Sequence, residues 1–142
     1  MIFSLIIKNT NMGKSKIHEF YSEIYPRRLW VVKGLNKKDL NNTFAYRNGS
    51  EIEFEYENGN ESLATVFPNV ILKDNGKYGY LVFIHSSNIS VGAIAHEAVH
   101  VATELFSEIG AIHTKDNQEP FAYLVGWIAD CIYQVKTGRF RC

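Results

Sequence analysis

The chain is poor in cysteine, with Cys131 and Cys142 its two copies in 142 residues. Two cysteines, one of them at the last position, do not make a disulfide framework. Cys131 lies in an apolar stretch and reads as a reduced core residue, so reducing surroundings are compatible with the chain. Net charge is also missing, because fifteen basic residues cancel fifteen acidic ones. That balance leaves no broad electrostatic footprint for nucleic acid or for an anionic membrane. No apolar run is long enough to span a bilayer. The apolar start from Met1 to Ile7 is short and has no basic leader, which makes it a poor signal peptide. The expected location is therefore cytoplasmic. Internal repeats, low-complexity tracts and an evident linker are absent, which excludes solenoids and arrays.

Hydrophobic residues make up 46% of the chain and aromatic residues 13%, the composition of a compact globule. Its length suits one domain over residues 1–142 with a proper core. Met1 to Ile7 reads either as a first strand or as sequence upstream of an alternative start at Met12, and residues 1–14 either as part of the domain or as a flexible N-terminal extension. Ser15 to Tyr25 carries a helical pattern through Ile17, Phe20, Tyr21 and Ile24, stopped by Pro26. Leu29 to Val32 is a short strand, and Asn36 caps a helix running to about Tyr46. Four strand-like runs follow. Glu51 to Glu57 and Ser62 to Phe67 flank the turn Asn58-Gly59-Asn60, and Val70 to Lys73 and Tyr78 to His85 flank Asp74 to Lys77. The first run alternates Glu51, Glu53, Glu55 and Glu57 with apolar residues, the pattern of a half-exposed strand with a solvated acidic face.

The most specific signal lies further on. His96-Glu97-Ala98-Val99-His100 sits in a helical stretch from Ser90 to Ile109, with Ser90 as N-cap and Gly110 as the residue past its end. At about 100° per residue the two histidines fall one turn apart on one face, so both imidazoles reach a single metal ion. Glu97 is rotated off that line, where it can hold a water instead of ligating the metal. Two histidines in this spacing, with a glutamate beside the first, are the donor set of a zinc hydrolase. Glu119 follows after 18 residues and opens a second helical pattern ended by Gly138. Asp116 and Asn117 serve as its capping residues, and Pro120 suits its first turn. On that helix Glu119, Tyr123, Gly126 and Asp130 share a face, as Gly92, His96, His100 and Glu104 do on the first. Glycines on both faces would let the helices approach closely around a shared metal. A first-turn glutamate is also favoured by the helix dipole alone, which is the ordinary alternative for Glu119.

His96-Glu97-x-x-His100, then 18 residues, then Glu119 within Asn117-Gln118-Glu119-Pro120-Phe121-Ala122, resembles the gluzincin metallopeptidases. The second segment is similar to the stretch that carries the third ligand in the aminopeptidase branch, with Gln118 inserted. The resemblance covers residues 80 to about 136. By size the chain is similar to small metallopeptidase-like proteins of phages and mobile elements. The resemblance implies a zincin-like α+β fold, with an antiparallel or mixed sheet packed on the zinc-binding helix and a second helix carrying the third ligand. It implies Zn2+ held by His96, His100 and Glu119, with Glu97 as general base and a peptide or protein as substrate. It further implies that residues 78 to 85 are an edge strand that binds extended substrate. Three departures stand against it. Tyr123 replaces the Asp of the thermolysin branch, the aminopeptidases' substrate-amine motif is absent, and the oxyanion-stabilising residue cannot be aligned. A metzincin would need a histidine where Phe106 stands, and peptide deformylase would need a cysteine before the helix.

His113 and Tyr123 are the nearest candidates for an oxyanion donor. The first also reads as an ordinary loop histidine, and the second as a core tyrosine or as a residue that orients the ligands. Glu104 and Asp130 are candidates to accept hydrogen bonds from the ligand imidazoles. His85, at a strand end, is a further candidate, and His18 has no context. If Glu119 does not reach the metal, Asp116 or His113 becomes the third ligand. The alternative to an enzyme is a zinc-binding regulatory or partner-binding module on the same fold. Oligomeric state and cleavage specificity are not encoded legibly.

Overall fold

The protein was analysed as a computed structural model, which describes residues 3–5, 16–53 and 63–140. Its elements are β1 (Phe3–Leu5), β2 (Ile17–Ser22), β3 (Arg28–Lys33), α1 (Lys37–Thr43), β4 (Phe44–Tyr46), β5 (Ala64–Leu72), β6 (Tyr78–Ile84), α2 (Val91–Ile109) and α3 (Glu119–Thr137). The strands form one sheet in the order β1-β2-β3-β6-β5-β4. β3 and β6 run parallel and the other neighbours antiparallel, so the sheet is mixed and the architecture α+β. Among the described residues no helix is long and apolar enough to cross a membrane.

Both faces of the sheet are covered. On one side Leu29, Val31, Tyr80, Val82 and Ile84 pack with Ile94, Ala98 and Val101 of α2 and with Leu124, Ile128 and Ile132 of α3. On the other, Trp30, Val32, Leu81 and Phe83 pack with Leu40 of α1, Phe44 and Ile52. A strand buried on both faces loses the two-residue polarity alternation by which a half-exposed strand is recognised.

That loss leaves β2 without a strand signature in the sequence. Residues 17–22 are a strand, although their sequence suggests a helix through Ile17, Phe20, Tyr21 and Ile24. Ile17 to Phe20 are buried without a break, including His18 and Glu19. The Glu19 carboxylate accepts a hydrogen bond of 2.9 Å from the Trp30 indole across the strand pair, which allows a charged residue inside. The helix capped by Asn36 ends at Thr43, because Phe44 to Tyr46 pair with β5 instead. The runs expected at 62–67 and 70–73 contribute to one strand, Ala64–Leu72, which carries a bulge. Its register shifts between Phe67 and Val70, and Asn69 takes a left-handed φ of 60°, which asparagine tolerates better than most residues. Of the acidic run, Glu51 to Glu53 lie outside any strand, with Ile52 buried and held at both backbone groups by the Asn41 amide. The rest of that run and its turn, like Met12 and Cys142, lie outside the described residues.

The parallel β3–β6 pair makes one sharp demand on the sequence. A Cβ built on Gly79 would lie 2.1 Å from the carbonyl oxygen of Arg28, its register partner. Backbone cannot yield that distance locally. Gly79→Ala is therefore expected to lose about 1–3 kcal/mol or more by forcing the strands apart, measured by urea unfolding.

The far end of α2 is fastened to the sheet by Glu108. Its carboxylate accepts hydrogen bonds from the hydroxyls of Tyr78 and of Tyr80, the latter at 2.6 Å, and pairs with Arg27 at 2.8 Å. Burial alone would raise this carboxyl, but the two tyrosines and Arg27 outweigh it and hold Glu108 below the ordinary glutamate value of 4.5. A depressed folded-state value means that its stabilisation is complete above the unfolded-state value. It is lost as pH falls through the folded one. Glu108→Ala is expected to cost about 1–2 kcal/mol near neutral pH by stranding the Tyr80 hydroxyl. The gap between wild type and variant should shrink in acid unfolding curves below about pH 4.

Candidate metal centre

α2 presents the motif because its core-facing residues fix its rotation. Ser90 caps it, accepting at 3.1 Å from the Ala93 amide, and Gly110 closes it at φ 73°. Ile94, Ala98, Val101, Ala102 and Leu105 are buried against sheet and α3. With that stripe inward, His96 and His100 stand exposed on the outer face, and Glu97 is turned aside and half-buried. β6 ends at Ile84 and α2 starts at Val91, so the histidines lie near the end of the sheet where β3 and β6 finish.

The two imidazoles converge. Their Nε2 atoms are 3.1 Å apart and their rings meet edge to face at 4.7 Å. Two nitrogens held by one tetrahedral zinc at about 2.0–2.1 Å would be roughly 3.3 Å apart, so the pair fits such an ion with little movement. Without an ion, that approach requires one Nε2 to donate and the other to accept. Burial pushes the Glu97 carboxyl above the ordinary range, while His96 and His100 pull it back in part. Glu97, His100 and Glu104 form one wall of an open groove of about 330 Å³. The opposite wall is Ala64, Thr65, Val66 and Pro68 of β5.

Glu119 is not brought to this pair. Among the described residues no group of three His, Cys, Asp or Glu side chains is gathered closely enough to hold a metal ion. The reason is the length of α2, which continues nine residues past His100. Phe106 meets Phe121 at 5.2 Å between ring centroids, which sets the level at which α3 begins. His100 lies six residues before Phe106, about 9 Å along the axis, and Glu119 opens α3 beyond that level. Tyr123 is exposed one turn into α3, and His113 is exposed in the connection, stacked on Phe121 at 4.2 Å. His113 and Asp116 belong to the connection that leaves the far end of α2. Neither the His96 nor the His100 imidazole is hydrogen-bonded to a carboxylate among the described residues, so Glu104 and Asp130 do not orient them here.

Other expectations need correction. α3 starts without a side-chain cap, since Gln118 occupies that position and neither Asp116 nor Asn117 fills the role. A Cβ on Gly126 would meet nothing within 4 Å and one on Gly92 only the Ser90 hydroxyl at 3.9 Å. These glycines therefore do not mediate close helix approach. β6 is not an edge strand, because β3 and β5 occupy its two sides. The strand beside Glu97 and His100 is β5. His85 hydrogen-bonds Thr65 at 2.6 Å and packs on Phe83, which belongs to the core on the other side of the sheet from α2. Burial lowers its pKa. His18 is buried against Phe140.

The sequence signals β5 as groove wall only through the hairpin over Asp74 to Lys77, which makes it the neighbour of the strand leading into α2. In comparisons with known proteins, no family model matches the chain, no curated protein matches it and no solved structure matches it.

Proposed function

We propose that the protein is a zinc-dependent metallopeptidase of the gluzincin type on a zincin-like fold, cleaving a peptide bond of a peptide or protein lying in the groove between α2 and β5. The observation that carries this reading is the convergence of His96 and His100 Nε2 to 3.1 Å, with Glu97 turned into the same groove. His96 and His100 are the residues that would hold the ion. Zinc bound there would supply Lewis acidity, lowering the pKa of water and polarising a carbonyl. Glu97 takes the proton of the attacking water and passes it to the amine nitrogen that leaves. Glu119 has the family's spacing for a third ligand. It can serve only if the start of α3 comes closer to His100 than it stands here.

The distance of Glu119 also favours a second reading, a zinc-binding partner module without turnover. Wild-type protein purified without chelator, assayed for zinc and for hydrolysis of a mixed peptide library, separates the two. Zinc with hydrolysis that a chelator abolishes is the expected result. Zinc without hydrolysis supports the module, and absence of zinc binding removes both.

A further inference from the structure

The groove beside His100 contains a carboxylate that the proposed hydrolysis does not use. Glu104 lies one turn past His100 on α2 and lines the groove with Glu97, facing the uncharged wall of Ala64, Val66 and Pro68. It is exposed, and among the described residues nothing bonds to it or pairs with it. Arg27, between β2 and β3, is already held at 2.8 Å by Glu108, one turn further along α2.

The spacing fits one kind of occupant. Four residues of helix place Glu104 about 6 Å beyond His100, and an extended lysine side chain spans about 6 Å on its four-carbon stem. We propose that Glu104 determines specificity by taking the cation of a lysine or arginine that adjoins the bond to be cleaved, so that the substrates are basic peptides. The position of that bond rests on the hydrolase reading above. The stem of the side chain lies on Val66 and Pro68 while its cation meets the carboxylate, as amphipathic side chains commonly arrange themselves. An apolar side chain of the same length would cover Glu104 without pairing it, and an acidic one would face two carboxylates.

The test uses zinc-loaded Glu97→Gln protein, in which turnover is blocked. It is titrated by fluorescence anisotropy with labelled alanine octapeptides carrying a central lysine, norleucine or glutamate. The lysine peptide is expected to bind roughly tenfold more tightly than the norleucine peptide, and the glutamate peptide most weakly. Adding Glu104→Gln should remove the advantage of lysine over norleucine, and adding Glu104→Lys should reverse the order in favour of glutamate. Equal affinities for lysine and norleucine, no detectable binding of the lysine peptide, or a lysine preference that survives Glu104→Gln would each overturn the proposal. Wild-type cleavage of the same peptides reads the parent reading separately. Cleavage without lysine preference removes this proposal alone, and lysine preference without cleavage removes the hydrolase reading and leaves Glu104 as the cation contact of a peptide-binding module.

Discussion

A Glu97→Gln variant is expected to lose peptide hydrolysis by about 10²–10⁴-fold while keeping its zinc. Glutamine fills the same space and can hold water by hydrogen bonds, but it cannot accept and return a proton. The same substitution should leave the metal-free protein more stable near neutral pH. Burial raises the Glu97 carboxyl above its ordinary value of 4.5, so the folded state binds its proton more tightly than the unfolded state does. Stability from this group is therefore present at low pH and is lost as pH rises from the unfolded value through the folded one. Glutamine carries no charge to desolvate and escapes that loss. Thermal unfolding of chelator-treated wild type and variant at pH 7 should place the variant higher, with the difference closing toward pH 4. A variant less stable than wild type at pH 7 would show that Glu97 is held by a favourable partner, not strained by burial.

Replacing either histidine should remove the metal. His96→Ala and His100→Ala each delete one of the two converging nitrogens. Loss of a direct ligand should weaken zinc binding by more than the roughly 10–100-fold that loss of an outer-shell partner costs. Both side chains are exposed, so the metal-free variants should unfold within about 0.5 kcal/mol of wild type. Zinc at a hundred times its Kd should stabilise the wild type by about 2.7 kcal/mol and the variants hardly at all. Isothermal titration with zinc, paired with unfolding curves with and without the ion, measures both effects. Equal zinc affinity in His100→Ala and wild type would place the ion elsewhere.

The helix carrying the motif was legible because its signals are local. Ser90 and Gly110 mark its ends by capping chemistry, and the apolar stripe from Ile94 to Leu105 marks its inner face. β2 was not legible, because Glu19 finds the Trp30 indole across the sheet, and no local pattern reports a partner eleven residues away. The reach of Glu119 is harder to read. Spacing counts residues, whereas reach depends on how the intervening chain is spent. Of the 18 residues after His100, nine continue α2 and carry the chain away from the histidines before the connection begins. Gly110 already fixed that helix end, so the rise of about 14 Å from His100 to Ile109 could have been computed from sequence alone. The close approach at Gly79 could not, since it depends on which strand becomes the parallel neighbour of β6.

The account rests on one ion between two imidazoles, and a crystal structure of the zinc-loaded protein with anomalous data at the zinc edge tests it most directly. The predicted result is one strong peak per chain within about 2.0–2.1 Å of both His96 Nε2 and His100 Nε2, open toward the groove lined by Glu97 and β5. A peak at any other residues, or none after loading with zinc, would contradict it.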